Sequence, residues 1–309
     1  MSGNVIALTG ATGFIGRHLL RSLSDQGYRV RVLLRRPVEL PPGASGAVVG
    51  DLSRPMNMAA ALSGVDAIVH SAGLAHAMSG TPEDDYRSSN IEATRRLAEA
   101  AAKARVGRFV FLSSIRAQSG ISATGTITEN DRPHPTDAYG RSKLAAEEAL
   151  AEIGIDWVAL RPVLVYGAGV KGNMAALLRL ARTPYPLPFA NLTGRRSLIS
   201  VENLSAAIVT VLHHQGPLGR ALVAAEPDAL RLPEMIAALR AGLGRRAGLV
   251  PCPPSLLGLA CRVTGRGEVF ERLSGDLVAR SDRLSALGWT PAQTSSEGLA
   301  ALSRGDTAA

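Results

Sequence analysis

Two residues four apart, Tyr139 and Lys143 in Tyr139-Gly140-Arg141-Ser142-Lys143, carry the sharpest chemical signal in this sequence. On a helix that spacing puts both side chains on one face. A phenol with a pKa near 10 exchanges protons poorly at neutral pH, and an ammonium one turn away favours the phenolate. Lysine occurs only at 103, 143 and 171, so the pairing is not a by-product of a lysine-rich composition. Ser113-Ser114 closes an apolar run, Arg108 to Leu112, that reads as a strand. A hydroxyl at such a strand end can hold a substrate oxygen for Tyr139. The Gly-, Ser-, Thr- and Pro-rich stretch that follows, Arg116 to Asp137, has the length of a functional loop.

A second constellation opens the chain. Thr9-Gly10-Ala11-Thr12-Gly13-Phe14-Ile15-Gly16 follows a buried-strand run, Val5 to Leu8, and leads into a helical pattern, Ile15 to Gln26. Gly10 suits a tight turn, Gly13 a close backbone approach to a pyrophosphate, and Gly16 close helix packing. Free N–H groups and the dipole at the helix start would hold the phosphates. In this context the motif reads as dinucleotide binding, with Gly10, Thr12, Gly13, Phe14, Ile15 and Gly16 as contacts. A second strand, Arg29 to Leu34, should end where an NAD site places an acid on the ribose 2′-hydroxyl. The chain has Arg35-Arg36 there instead. Arg35, with Arg36 or Arg17, can pair with a 2′-phosphate, so NADP is preferred and NAD is the alternative. Asp51-Leu52 would bracket the adenine, and Ser71-Ala72-Gly73 would let backbone touch the cofactor.

The elements that must position these groups alternate. Further strands are expected at Gly46 to Gly50, Ala67 to His70, Arg108 to Leu112 and Trp157 to Leu160, with helices at Asn90 to Ala104 and Ala138 to Glu152. Such alternation predicts an α/β fold: a doubly wound parallel (Rossmann) sheet over residues 1–165. From about Val165 prolines interrupt a mixed pattern, read as a smaller α/β substrate domain over 166–309 with some segments returning to the sheet. The tail from Ser303 to Ala309 is expected to fray.

The 309 residues are 46% hydrophobic and 19% charged, which excludes disorder for most of the chain. The formal charge of +8 comes almost wholly from scattered arginines, and aromatics total 4%, so no nucleic-acid stripe is present. An arginine bias suits small phosphorylated ligands. The longest apolar run, Leu249 to Val263, is broken by Pro251, Pro253 and Pro254 and holds Arg262, so no membrane partner is expected. Met1 to Val5 shows no basic segment before an apolar stretch, so no signal peptide is expected. Cys252 and Cys261 read as reduced thiols of a cytoplasmic protein, and no His/Cys spacing points to a metal.

In these segments the chain resembles the extended short-chain dehydrogenase/reductase family, over nearly its whole length. The matching residues are Thr9 to Gly16, Asp51-Leu52, Asn90, Ser113-Ser114, Tyr139 to Lys143 and Leu160 to Gly167. It is most similar to the branch acting on nucleotide sugars, through Phe109 to Ile115 and Arg195 to Leu204. The resemblance implies catalytic Ser114, Tyr139 and Lys143, and a buttressing Asn90, with Asn90, Tyr139 and Lys143 also contacting the cofactor and Lys143 on its nicotinamide ribose. It also implies nicotinamide contacts at Pro162 and Val163, and a nucleotide-diphosphate sugar held by Ser113, Ser114, Asn173 and Arg196. A homodimer through the helices Asn90 to Ala104 and Ala138 to Glu152 is implied as well. Dehydratases of the family carry Asp-Glu just after the catalytic hydroxyl. Here Ile115-Arg116 stands there, removing the acid–base pair for eliminating water. The usual Tyr-Gly beyond it is replaced by Gln118-Ser119-Gly120, so no sugar contact carries over to that segment. The first functional reading is a 4-keto reductase of a UDP-linked (N-acetyl)hexose, for surface-polysaccharide sugars. The alternative is a UDP-hexose 4-epimerase, and the third is a cofactor-binding scaffold without turnover.

Overall fold

The computed structural model describes residues 4–74, 82–265 and 267–305; residues 1–3 and the tail from 306 to 309, both read above, lie outside them. The first half runs β1 (Val5–Thr9), α1 (Phe14–Asp25), β2 (Arg29–Leu34), β3 (Ser45–Val48), α2 (Met58–Leu62), β4 (Ala67–His70), α3 (Glu83–Tyr86), a π-helical turn (Arg87–Glu92), α4 (Ala93–Lys103), β5 (Arg108–Leu112), a 3₁₀ turn (Ile115–Ala117), β6 (Thr126–Ile127), α5 (Ala138–Ala151) and β7 (Trp157–Pro162). The second half runs β8 (Leu164–Tyr166), α6 (Gly172–Arg182), β9 (Arg195–Ser200), α7 (Val201–His213), β10 (Arg220–Ala224), β11 (Ala229–Arg231), α8 (Leu232–Gly242), α9 (Pro254–Val263), α10 (Gly267–Ser274), β12 (Val278–Ala279), α11 (Asp282–Ala286) and α12 (Ser295–Gly305).

Seven strands form one sheet in the order β10-β7-β5-β4-β1-β2-β3, every pair parallel. Every residue of β4 and β5 is buried, as strands covered on both faces must be. Leu19 and Leu23 of α1 pack with Leu204, Ile208 and Val211 of α7 on one face. Leu97, Ala98 and Ala101 of α4 pack with Ala146 and Leu150 of α5 on the other. The expected doubly wound parallel fold is the observed one. β10, from the second half, joins this sheet beside β7, while β8, β9 and β11 form a separate three-stranded sheet.

Two local expectations change. The helix expected to begin at Asn90 starts earlier and passes through the π turn, which widens the backbone by one residue where Asn90 must face inward. Fraying does not begin at Ser303: this residue is buried in α12, and its hydroxyl donates to the Leu239 carbonyl at 2.8 Å. Among the described residues no helix is long and apolar enough to cross a membrane, and no group of His, Cys, Asp and Glu has metal-binding geometry.

Candidate active site

The strand order reverses between β1 and β4, and a doubly wound sheet leaves a crevice at that point, beyond the C-terminal strand ends. The glycine loop forms one wall. Gly10 turns with φ +74°, and a Cβ there would lie 2.7 Å from the Ala72 nitrogen; a Cβ on Gly16 would overlap the Gly10 carbonyl. Both obstacles are backbone, so neither position admits a side chain while the loop keeps its shape. Gly13 caps α1 without a side-chain bond, which leaves the first-turn N–H groups to a ligand. Thr12 is exposed, and Phe14 and Ile15 are half-buried. A cavity of about 570 Å³ runs from this loop along the ends of β2 and β3. It is lined by Gly10, Thr12, Arg35, Arg36, Asp51, Leu52, Ala72 and Gly73 among others. The glycine cradle and this cavity fit a dinucleotide. Arg35 and Asp51 form a 3.1 Å ion pair with both side chains more than half exposed. The N–H and hydroxyl of Ser53, then Arg35, hold the Asp51 carboxyl below the usual carboxylate range.

A polar chain stitches β1 to β4 and on to the π turn. The Thr9 hydroxyl accepts from Ala72 N–H (3.1 Å) and lies 2.7 Å from His70 Nδ1. His70 Nε2 lies 3.1 Å from the Thr94 hydroxyl, which donates to the Asn90 carbonyl. The network assigns the hydrogen to Nε2. Ser71 donates to the Thr9 carbonyl at 2.7 Å, so its hydroxyl serves the fold. Asn90 grips the Leu74 backbone through both N–H (2.8 Å) and C=O (3.2 Å) and donates to Ser142 Oγ on α5 at 2.9 Å. Burial, aided by the Lys143 charge, pushes the His70 pKa down to about 3. The folded value lies below the unfolded one near 6.5, so the unfolded chain takes the proton first. Stability is therefore full above pH 6.5 and is lost as pH falls toward 3, by about 1.4 kcal/mol per pH unit. His70→Gln should flatten this limb in urea unfolding compared at neutral pH and at about pH 5.

Opposite the cradle, α5 begins at Asp137, whose carboxylate accepts from Gly140 N–H at 2.7 Å. A Cβ on Gly140 would overlap the Arg116 carbonyl. That close approach seats the start of α5 on the turn after β5, and the Tyr139 phenol meets the Ser114 hydroxyl in a hydrogen bond. Lys143, one turn on, is buried; its ammonium donates to the Leu112 carbonyl at 2.9 Å and lies 4.7 Å from the centre of the Phe111 ring. Burial lowers the Lys143 pKa to about 8, against the raising effect of Glu147. Burial pushes Tyr139 up to about 12; the Ser114 hydrogen bond and Arg116 pull it back, while Asp137 and Tyr86 oppose them. Gly73 faces the same point: a Cβ on it would meet Asn90 Oδ1 at 2.8 Å and Lys143 Nζ at 3.3 Å. Pro162 and Val163 are buried at the end of β7, where Val163 N–H bonds the Ala224 carbonyl at 3.1 Å.

Two expected substrate contacts lie elsewhere than in the cleft's reactive corner. Ser113 is buried and its hydroxyl donates to the Glu147 carboxylate, because alternate residues leaving a strand point to opposite sides. Ser113 thus supports the site from behind. Asn173 is exposed in the first turn of α6, and its role rests on the resemblance alone. Arg196, on β9, is drawn in: its Nη1 donates to the Ile121 carbonyl in the loop after Ser114 at 3.0 Å. Its buried Nε and Nη2 have no hydrogen-bond partner. Burial, then the like charges of Arg116 and Arg272, lowers its pKa to about 10.

Sequence reasoning missed the network behind Ser113. Glu147 accepts from Arg161 through Nε (3.0 Å) and Nη2 (2.5 Å). Arg161 Nη1 donates to Gln118, whose amide donates to the Asp131 carbonyl at 2.6 Å. The available signal was an arginine inside an apolar strand run, Val158 to Pro162, and a glutamate four residues beyond Lys143.

A parallel sheet with a glycine cradle at its switch point, and a Ser–Tyr–Lys cluster beside it, defines an extended short-chain dehydrogenase/reductase. The chain belongs to the NAD dependent epimerase/dehydratase family, whose pattern it matches over residues 6–225. It is 34% identical over 305 residues to a UDP-glucose 4-epimerase of Vibrio cholerae, covering 95% of this chain and 93% of that one. It is 32% identical over 315 residues to a dTDP-6-deoxy-L-talose 4-dehydrogenase (NAD(P)(+)) of Kitasatospora kifunensis, again covering 95% and 93%. Among solved structures, MoeE5 in complex with UDP-glucuronic acid and NAD matches with a TM-score of 0.77 at 28% identity over 99% of both chains.

Proposed function

We propose that the chain catalyses oxidation and reduction at C4 of a UDP-linked hexose or N-acetylhexose, with 4-epimerisation as the overall reaction. The observation that carries this is the Ser114–Tyr139–Lys143 cluster, with Lys143 Nζ beside Gly73 of the dinucleotide cavity. The full-length likeness to a UDP-glucose 4-epimerase favours the epimerase direction. When bound, the nicotinamide supplies hydride chemistry at C4. Tyr139 takes the C4 hydroxyl proton and later returns it; Ser114 holds the C4 oxygen; Lys143 supplies the positive charge that makes the phenolate accessible. A net 4-keto reductase using NADP is the second reading. Its support is the end of β2, where Arg35-Arg36 stand in place of an acid, and an exposed Arg35–Asp51 pair worth no more than about 1 kcal/mol, easily opened by a 2′-phosphate.

A buried guanidinium with open donors calls for an anion. We assign Arg196 to the substrate diphosphate. Arg196→Met should raise the KM for the UDP-sugar about 10- to 100-fold, from lost charge-assisted hydrogen bonds. It should leave the unliganded protein about as stable, because the charge removed is desolvated and repelled by Arg116 and Arg272 and only partly offset by Asp276. A matching loss of stability and affinity would make Arg196 a structural residue.

Incubation with UDP-glucose or UDP-N-acetylglucosamine and no added cofactor should yield the C4 epimer by anion-exchange chromatography. Absence of epimer, together with oxidation of NADPH at 340 nm by a UDP-4-keto-6-deoxy-N-acetylhexosamine, would establish the reductase instead. Inactivity in both assays would leave the C4 reading without support.

A further inference from the structure

The apolar run that sequence analysis set aside as too broken to span a bilayer folds into α9, a ten-residue helix with apolar side chains on both sides. The inner side packs on α10: Gly258 is buried against the Phe270 ring, and Leu257 packs on the small core that includes Leu187. The outer side carries Leu256, Leu259 and Val263, spaced i, i+3, i+7 and so stacked in one stripe. They are 58%, 59% and 80% exposed. Single exposed leucines need no explanation, but a stripe of three on one short helix does. Val250, four residues before α9, and Tyr185 are also exposed; the Leu187–Leu249 bridge joins their segments, and Arg240 donates to the carbonyls of both Tyr185 and Gly248.

Charge decides what covers this face. Arg245 and Arg246 precede it in sequence and Arg262 lies on α9; all three are exposed, with Arg245 donating to the Arg182 carbonyl, and Glu271 of α10 is an exposed acid. The whole chain carries +8. A short helix with an apolar stripe, carrying Arg262 and preceded by Arg245-Arg246, matches the chemistry of an anionic phospholipid surface, where side chains enter the interface and arginines stay at the headgroups. A second copy would instead bring its own arginines to the same patch, setting like charges together as the apolar stripes met.

We propose that α9 and the adjoining Arg245–Arg246 segment dock the protein, reversibly and without spanning, on an anionic membrane surface. This is independent of the catalytic reading. The test is co-sedimentation of the full chain with phosphatidylcholine vesicles, with and without one third phosphatidylglycerol. Binding is expected only with phosphatidylglycerol, and raised salt should weaken it. Leu259→Ser/Val263→Ser should lower the partition coefficient about tenfold. Arg246→Glu/Arg262→Glu should lower it about fivefold or more per arginine. Because Leu259, Val263, Arg246 and Arg262 are all exposed, thermal unfolding of both variants should match the parent. Binding that is absent, or indifferent to either substitution, overturns the proposal. So does a lipid-free change from dimer to monomer in Leu259→Ser/Val263→Ser without vesicle binding, which would give the face to a second copy.

Discussion

Tyr139→Phe should reduce kcat by about three orders of magnitude, within the range a positioned proton-transfer group contributes. The lost atom is the one that meets Ser114, and no other phenol stands there: Tyr86, the nearest, lies ring to ring at 6.1 Å and is buried. Cofactor affinity should hold within a few-fold, because the dinucleotide cavity is lined by the glycine loop and the ends of β2, β3 and β4 rather than by Tyr139. Isothermal titration of the cofactor against stopped-flow turnover separates the two. Retained turnover would mean that the proton leaves by another route. Lys143 adds a pH signature. Its pKa, brought down to about 8 by burial, means that raising the pH past 8 removes the charge that makes Tyr139 ionisable. The rate should therefore fall on the alkaline side with a midpoint near 8, an apparent value belonging to the coupled pair. Lys143→Met should abolish that limb along with most of the rate.

The sheet and the reactive cluster were legible in the sequence because each depends on local pattern. Short runs such as Ala67-Ile68-Val69-His70, three apolar residues and a histidine between turn signals and helical periods, read as buried strands. Tyr139 and Lys143 share a helix face by spacing alone, and the glycines at 10, 13 and 16 sit where a strand gives way to a helix. What was not legible depends on contacts distant in sequence. Ser113 and Ser114 are chemically identical; the resemblance selects Ser114 as the catalytic one, but only the pleat shows that Ser113 turns away to Glu147. The π turn at Arg87–Glu92 has no periodic signature, since its cause is Asn90 reaching both Leu74 and Ser142. The resemblance alone marks Arg196 as a substrate contact, and the two donors its burial leaves without partners have no sequence signal.

The buried charges behind the site should govern stability as strongly as Tyr139 governs rate. Glu147 and Arg161 are almost wholly enclosed, and the Glu147 carboxylate also takes the Ser113 hydroxyl. Glu147→Gln keeps the volume but leaves Arg161 charged and uncompensated, which should cost about 3–5 kcal/mol. For a chain of this size that corresponds to a fall in Tm on the order of 10 °C. Replacing both partners, Glu147→Gln with Arg161→Met, should recover most of it, since the penalty lies in the orphaned charge rather than in the lost pair. A double-mutant cycle by urea unfolding reads this as a coupling energy, and additive effects would show that the two residues do not act as a unit. The same substitution reaches the chemistry through Lys143. The Glu147 charge raises the Lys143 pKa, so its removal lets that pKa fall below 8. The alkaline limb of the rate should then move to lower pH, a shift that destabilisation alone would not produce. Glu147 thus links the scaffold to the proton chemistry: one carboxylate holds β7 to α5 through Arg161, and its charge helps keep Lys143 protonated beside Tyr139.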